Sequence, residues 1–501
     1  MIRGSIKRTI LFLTIIIYSL YFTEFIQAEA APSAAFDPEA MDTFIENQIR
    51  RHNLPGVAVA VTQGDAIVYM KGFGQAAKGQ AMTADTPMYI GSLSKSFTAL
   101  AIMQLHAQGK LDIDMPVRTY LPEFKIADGE AMETITIRNL LNHASGLSDF
   151  SYIPQHGLNV SIMDGIGEMG AAELSAPIGT TFQYFNTNYA VLGAVIEKVS
   201  GIPYGEYIEK NIYAPLGMDN SYTNPEEAKA GGLPSGYTSV FGFSWKREQP
   251  FRQYDLPGGY LMMSVRDLSK YLRMQLNEGS FNGEELLGSE YVEEMHTPQA
   301  GLDVPYGMGW FIYDDFGTTL IEHGGTNENF HTSGMIFPEK EITIAILVNK
   351  NSILHALFSH PNLNYGVKGI AAGLPMPKDV IPLRLVGYVM LAGFLINIAT
   401  SLRVLFKMDG WMQSFKKKKI IGQVWDIGSH FIIPAALVVF LPKGIELFLN
   451  RGFTWQAAWS QAPDGILWLW TGIVLDLVTG ILKIMTTFRN KQDLPEVVVE
   501  N

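Results

Sequence analysis

Ser92 and Lys95 stand three residues apart in GSLSKSF, residues 91–97. On a helix, positions three apart share a face, so the hydroxyl and the amine can meet. A lysine partly desolvated in a cleft can lose its proton near neutral pH and act as a base. Backbone N–H groups at the start of a helix also favour negative charge developing on Ser92. The pair is therefore a candidate activated nucleophile. Ser94 lies about 200° round the helix from Ser92 and cannot take the same part. The pattern alone decides little, because SFKK (414–417) repeats it in a lysine-rich stretch.

Two further motifs carry chemistry in combination with the first. YFN (184–186) places Tyr184 just before a helix, where a phenol beside a deprotonated lysine can relay a proton to a leaving amine. HGG (323–325) ends a strand in glycines that let backbone approach a ligand closely. The N–H of Thr326 can then join that of Ser92 as an oxyanion hole. Each motif alone has an ordinary structural reading: YTN (222–224) matches the second by chance, and a lone strand histidine is usually structural.

The elements that must position these groups are readable. GVAVAVTQGDAIVYMKGFG (56–74) predicts two strands joined by a Gln-Gly-Asp turn. FTALAIMQLHAQGKL (97–111) has helical apolar spacing and a stop at Gly109, and a second helix starts near Asn186 or Thr187 and ends at Gly201. TTLIEHGG, FHTSGMIFP and EITIAILVN predict three late strands, the last two joined by a PEKE turn. Early and late strands with helices between them imply an α+β domain whose antiparallel sheet is built from both ends.

The chain of 501 residues has a net charge of −12 and no cysteine. The first property argues against nucleic acid as a partner, since phosphate binding needs a basic footprint. The second excludes a disulfide framework, a thiolate metal site and a cysteine nucleophile. Residues 1–30 read as a signal peptide: Arg3, Lys7 and Arg8 precede an apolar run, and Ala28 and Ala30 form an A-x-A site before Ala31. The alternative is an uncleaved anchor; either way the following domain, 31–375, is exported. Residues 376–490 form a membrane domain with spans expected at 385–406, 427–449 and 465–485, and 491–501 a cytoplasmic tail. Lysine and arginine crowd the connection between the first two spans and the C-terminus, which puts both in the cytoplasm and the catalytic domain outside. Asp476 inside the third span is costly there, and is either functional or hydrogen-bonded to a neighbouring helix.

The order S-x-x-K, Y-x-N, H-x-G resembles the penicillin-binding-protein and serine β-lactamase fold, whose related set is S-x-x-K, S-D-N and K-T-G. The tyrosine motif and the histidine in place of the K-T-G lysine resemble its class C-like branch, peptidase S12 type, which contains esterases, D-aminopeptidases and related hydrolases. LLNHASGL (140–147), APLGM (214–218) and YGMGW (306–310) are similar to that branch as well. The resemblance covers about residues 36–350. It implies a β-lactamase/transpeptidase-like fold, with a helical subdomain beside the sheet, acting as a serine hydrolase through an acyl-enzyme. Ser92 would be the nucleophile, Lys95 its base and Tyr184 the relay. No cofactor or metal is expected.

A signal peptide, an outward hydrolase domain and three terminal spans together resemble the prodrug-activating peptidases of nonribosomal peptide pathways, the colibactin- and zwittermicin-maturing enzymes. EHGGTNENFHT (322–332) is similar to the late motif of the former. Such enzymes remove an N-acyl-D-asparagine cap from an exported precursor, which protects the producer cell. The resemblance implies an acylated peptide precursor as substrate, the lipid bilayer as surroundings and a membrane exporter as partner. It places Asn327 against the D-asparagine side chain, with Asn186, Asp255, His323 and Gly325 lining the same pocket. That branch has a serine at the place of Asn186 and a histidine near that of Asp255. Two other readings stand beside it: a D-alanyl-D-alanine carboxypeptidase or β-lactamase-like esterase, and a non-catalytic membrane receptor.

Overall fold

The computed structural model describes residues 36–149, 152, 157–378, 380–449 and 454–492, and the expected signal peptide lies outside them. The described chain divides into two units, one of residues 36–239 and 243–383 and one of 240–242 and 384–492.

The first unit is organised by a seven-stranded antiparallel sheet. Strands β1 (Gly56–Gln63), β2 (Ala66–Ala77) and β3 (Gln80–Ala81) come from the start of the chain. Strands β4 (Phe311–Asp314), β5 (Thr319–Thr326), β6 (His331–Phe337) and β7 (Ile342–Val348) come from its end. Their order is β4-β5-β6-β7-β1-β2-β3, so β1 and β7 join the two halves, with Val57 opposite Val348 and Gln63 opposite Ile342. The expected two-ended sheet is present, with β4 as an additional edge strand. That strand is short and half-exposed, so it carries no long apolar run to announce it.

Side chains alternate across a strand, and here both faces are covered. Ala58 and Ala60 of β1 face one apolar core, Val57, Val59 and Val61 the other. Ala345 and Leu347 of β7 alternate with Ile344, Ile346 and Val348 in the same way. A strand buried on both faces reads as an unbroken apolar run, which is why EITIAILVN is so legible. On the second face lies α1 (Pro38–His52), capped by Asp37, whose carboxylate accepts from the N–H groups of Glu39 and Ala40.

The first face carries α2 (Ser94–Ala107), α3 (Asn186–Ser200), the one-turn α4 (Leu256–Gly259) and α5 (Val265–Leu276). Helix α2 is buried from Ser94 to Leu105 without a polar face, as befits the central helix of a core. A tight 3-10 turn, Gly91–Leu93, precedes it. The sheet's second face is completed by α6 (His360–Ala372).

The second unit contains α7 (Leu383–Leu405, entering it at Arg384), α8 (Met408–Lys416), α9 (Ile420–Leu449), α10 (Trp455–Gln461) and α11 (Pro463–Gln492). Three of these are long and apolar enough to cross a membrane: Leu383–Val404, Ile420–Glu446 and Pro463–Arg489. The second begins seven residues before the expected 427, because Ile420 to Gln423 continue the helix on the near side of Asp426.

Candidate active site

Ser92 lies in the 3-10 turn that opens α2, and Lys95 one turn further on. Gly91 adopts φ +54°, a left-handed conformation suited to glycine, and so re-aims the chain from the short strand Met88–Tyr89 into the helix. The neighbouring serines are occupied in holding this turn. Ser94 Oγ donates to Gly91 O at 2.8 Å and accepts from Leu261 N, and Ser96 Oγ donates to Leu93 O at 2.9 Å. Ser92 is the serine whose Oγ meets a base, with Lys95 Nζ at 3.2 Å.

Lys95 is completely buried. Its Nζ donates to Asn186 Oδ1 at 2.8 Å and to Gly258 O at 2.6 Å. Both are carbonyl oxygens that can only accept, so each takes an N–H of the amine, and a free amine here would place its nitrogen within reach of the Ser92 hydroxyl. Nζ also lies 4.8 Å from the centre of the Tyr184 ring and 5.6 Å from that of Tyr189. Asn186 thus touches the amine from the first residue of α3.

The strand motif meets the nucleophile through glycines. A Cβ on Gly325 would fall 1.8 Å from Ile90 O and 3.0 Å from Ser92 N, and one on Gly91 would fall 2.4 Å from Thr326 N. No side chain fits at either position, so HGG brings bare backbone against the serine turn. Strand register then determines which N–H groups remain available. Asn327 N donates to Phe330 O, so the next pair, Thr326 with His331, is a non-hydrogen-bonded one, and the Thr326 N–H points away from β6. On the other side β4 pairs β5 only over Thr319 to Glu322. The N–H of Thr326 therefore faces the open edge of the sheet beside Ser92 N, an arrangement able to hold an oxyanion.

Two buried histidines wall this corner. His323 contacts Gly324 O through Nδ1 at 2.6 Å and packs near the rings of Phe311, Tyr306 and Tyr184. Burial, and then the positive charge of Lys95 when protonated, push its pKa down to about 3. His143 lies 4.4 Å from the Tyr184 ring, in a left-handed conformation at φ 56°. Its Nδ1 accepts from Phe185 N and stands 3.3 Å from the amide of Asn188, both beside the YFN motif. Burial first, then Lys95, hold it well below the usual histidine range. Both rings are therefore neutral at pH 7.

Asn327 is buried and donates from Nδ2 to Gly259 O at 2.9 Å, which leaves its Oδ1 without a hydrogen-bond partner among the described residues. Asp255 closes a 3-10 turn immediately before α4, three residues from the Gly258 carbonyl. The structure thus gathers Ser92, Lys95, Tyr184, Asn186, His323, Gly325 and Thr326 in one corner, with Asn327 joined to it through Gly259.

Gly258, Gly91 and His143 also belong to this corner, and sequence reasoning did not single them out. Gly258 acts through its carbonyl, which every residue has. The paired glycines of LPGGY (256–260) were the available signal, as LLNHASGL was for His143.

The family described as Beta-lactamase matches residues 41–358. Protein flp of Staphylococcus aureus (strain MW2) is 29% identical over 461 residues, 90% of this chain and 89% of that protein, so the likeness extends into the apolar C-terminal helices. Penicillin-binding protein 4 of Amycolatopsis lactamdurans is 28% identical over 66% of this chain and 89% of its own. Among solved structures, the octameric penicillin-binding protein homologue from Pyrococcus abyssi aligns with a TM-score of 0.59 at 30% identity, covering 71% of this chain and 81% of that one. The match over residues 41–358, more than half of the sequence, shows that the chain belongs to the β-lactamase family of serine hydrolases, which act through an acyl-enzyme.

Proposed function

We propose that this hydrolase cleaves the amide bond of an N-acyl-D-asparagine cap on an exported peptide precursor and releases the active product. The observation that carries this reading is Asn327. Its Nδ2 is committed to Gly259 O, so its buried Oδ1 is an acceptor awaiting a donor. The primary amide of an asparagine side chain supplies such a donor, and an unpaired buried acceptor costs about 1–3 kcal/mol when the donor is missing.

The reaction proceeds by proton transfers that balance. Lys95, as the free amine, takes the Ser92 proton while Oγ attacks the carbonyl carbon, and the N–H groups of Ser92 and Thr326 bind the oxyanion. The proton passes by way of Tyr184 to the departing amine as the C–N bond breaks. Water then attacks the acyl-Ser92 ester, giving up a proton to the Lys95–Tyr184 pair, and Oγ leaves with a proton. His143 and His323, neutral, orient the Tyr184 ring and line the pocket, and Asn186, Asp255 and Gly325 complete it.

In this reading residues 1–30 are a signal peptide, 31–375 the hydrolase outside the cytoplasmic membrane, 376–490 the three-span anchor and 491–501 a cytoplasmic tail. The lysines at 416–419 between the first two spans support that orientation. A membrane exporter would deliver the precursor to the same face.

Mass spectrometry of an N-acyl-D-asparaginyl amide incubated with wild type and Ser92→Ala tests the reading. Cleavage by wild type alone supports it, and no cleavage, or equal cleavage by both, overturns it. Two similar proteins are named penicillin-binding proteins, which favours a second reading, a D-alanyl-D-alanine carboxypeptidase. Release of D-alanine from a pentapeptide, with a penicillin adduct on Ser92, would select it.

A further inference from the structure

Asp476 sits at the centre of the third apolar helix, thirteen residues from either end of Pro463–Arg489. An ionisable group at that depth is retained only when something pairs with it. Its partner is His430 of α9, whose Nδ1 lies 3.3 Å from Asp476 Oδ1. The other ring nitrogen, Nε2, is 3.0 Å from Lys483 Nζ, three residues beyond Gly480 on α11. Lys483 also donates to Asp426 Oδ1 at 3.0 Å, and Asp426 Oδ2 accepts from Lys418 Nζ at 2.5 Å and Trp411 Nε1 at 3.1 Å. Five titratable side chains therefore form one unbroken line, Lys418–Asp426–Lys483–His430–Asp476, from the lysine-rich end of the helices to their midpoint.

The backbone is shaped to seat the imidazole within this line. Gly480 is four residues after Asp476 and three before Lys483, on the same helix face. A Cβ there would fall 2.7 Å from the Phe431 ring and 2.9 Å from the Cβ of His430. Glycine thus lets α9 press its histidine between the carboxylate and the ammonium. A clamp between two helices would need only the direct Asp426–Lys483 pair, which is present. His430 instead separates a second lysine–aspartate couple, and imidazole is the side chain that accepts at one nitrogen while donating at the other.

We propose that His430 is a proton bridge, and that the membrane unit is a proton-binding relay open at its Lys418 end. In one state the Lys483 ammonium donates to Nε2 and the Nδ1–H donates to the Asp476 carboxylate. A proton moves from Lys483 to Nε2 while the Nδ1 proton moves to Asp476. One Lys N–H and the Nδ1–H break, and an Nε2–H and a carboxyl O–H form. The amine, imidazole and carboxyl are then all neutral. The Lys483 amine then takes one proton from water at the Lys418 end. On release it returns that proton to the water, the Nε2 proton passes back to Lys483 and the carboxyl proton back to Nδ1, which restores the first state. The groups facing the imidazole are Asp476 and Lys483 of α11 and, through Lys483, Asp426 of its own helix with Lys418. Helix α8 contributes the Trp411 ring, 5.0 Å from Lys483 Nζ, and α7 carries charge only near its ends, at Arg384 and Arg403.

The inference rests on the three apolar helices spanning a bilayer. The full chain in phospholipid vesicles is washed in alkaline carbonate, then studied by infrared difference spectroscopy between about pH 4 and about pH 9. The relay predicts a protonated-carboxyl stretch that titrates in wild type and is lost in Asp476→Asn. His430→Gln keeps a donor and an acceptor but cannot pass a proton, so it should move the midpoint of that signal by about one pH unit or more. Labelling of Ser92 by a serine-directed probe verifies that each variant is folded. If Asp476→Asn is poorly folded, His430→Gln alone decides. Retention in the vesicles with a spectrum unchanged by the variants overturns the relay. Release by the wash overturns the span reading and the relay with it.

Discussion

The first unit buries two lysines completely, Lys95 and Lys350, and each touches a serine hydroxyl, Ser92 at 3.2 Å and Ser244 at 3.0 Å. Each also stands near buried, neutral histidines: His143 and His323 around Lys95, His52, His355 and His360 around Lys350. The difference lies at the serine. Ser244 Oγ donates its proton to Asn53 O at 2.8 Å, and Lys350 donates to the same carbonyl at 3.0 Å, so the triangle is closed. Ser92 Oγ meets the amine alone among the described residues, and its N–H stands beside that of Thr326 across two glycines. In the proposed reading a buried serine–lysine contact is not sufficient for catalysis, and an uncommitted hydroxyl with donors for the oxyanion makes the distinction.

The widest expected separation is in activity. Ser92→Ala and Lys95→Met should each lower kcat/KM by at least about 10⁴-fold. Ser244→Ala should leave kcat/KM within about twofold, and Lys350→Met should act on stability, by about 1–3 kcal/mol in denaturant unfolding. An activity loss in Ser244→Ala comparable to that in Ser92→Ala would erase the contrast.

Next in size is Gly325→Ala, whose methyl would strike Ile90 O and part Thr326 N from Ser92 N. Loss of one oxyanion donor costs about 10²–10³-fold in kcat, and a folded Gly325→Ala with wild-type kcat would contradict the assignment. His143→Phe keeps a ring against Tyr184 but removes the acceptor for Phe185 N and Asn188, and should lower kcat about tenfold with KM little changed. Steady-state kinetics separate this from a general loss of folded protein.

The smallest effect per group is in pH. Burial pushes His52 and His331 down to about 4, and holds His355 and His360 well below the usual histidine range. In the unfolded chain each takes up a proton near its ordinary pKa of about 6.5, whereas the folded protein resists until lower pH. The stability they contribute is thus complete above about pH 6.5 and is lost as pH falls toward 4. The slope is about 1.4 kcal/mol per pH unit for each histidine that titrates only when unfolded. Melting temperatures from pH 7 to pH 5 should fall, and fall less in His331→Phe, which retains the stacking on His360 seen at 4.0 Å.

The parts of this architecture that were legible are those in which local spacing carries the physics. A three-residue interval joins Ser92 to Lys95, and unbroken apolar runs mark β1 and β7 because both faces of the sheet are covered. What escaped is what depends on backbone atoms or distant partners. Gly258 meets Lys95 across 163 positions through a carbonyl that carries no residue identity. Ser244 and Lys350 are 106 positions apart, so the second serine–lysine contact has no motif at all. Asp476 was readable as a costly group, but its partners on α9 and α11 were not, since helix pairing sets them.

The most direct test of the central claim is intact-protein and peptide mass spectrometry of the enzyme quenched during turnover of an N-acyl-D-asparaginyl amide. The account predicts one acyl adduct, on the peptide containing Ser92, absent from Ser92→Ala and from the peptide containing Ser244. An adduct on any other residue, or turnover by Ser92→Ala at the wild-type rate, would contradict it.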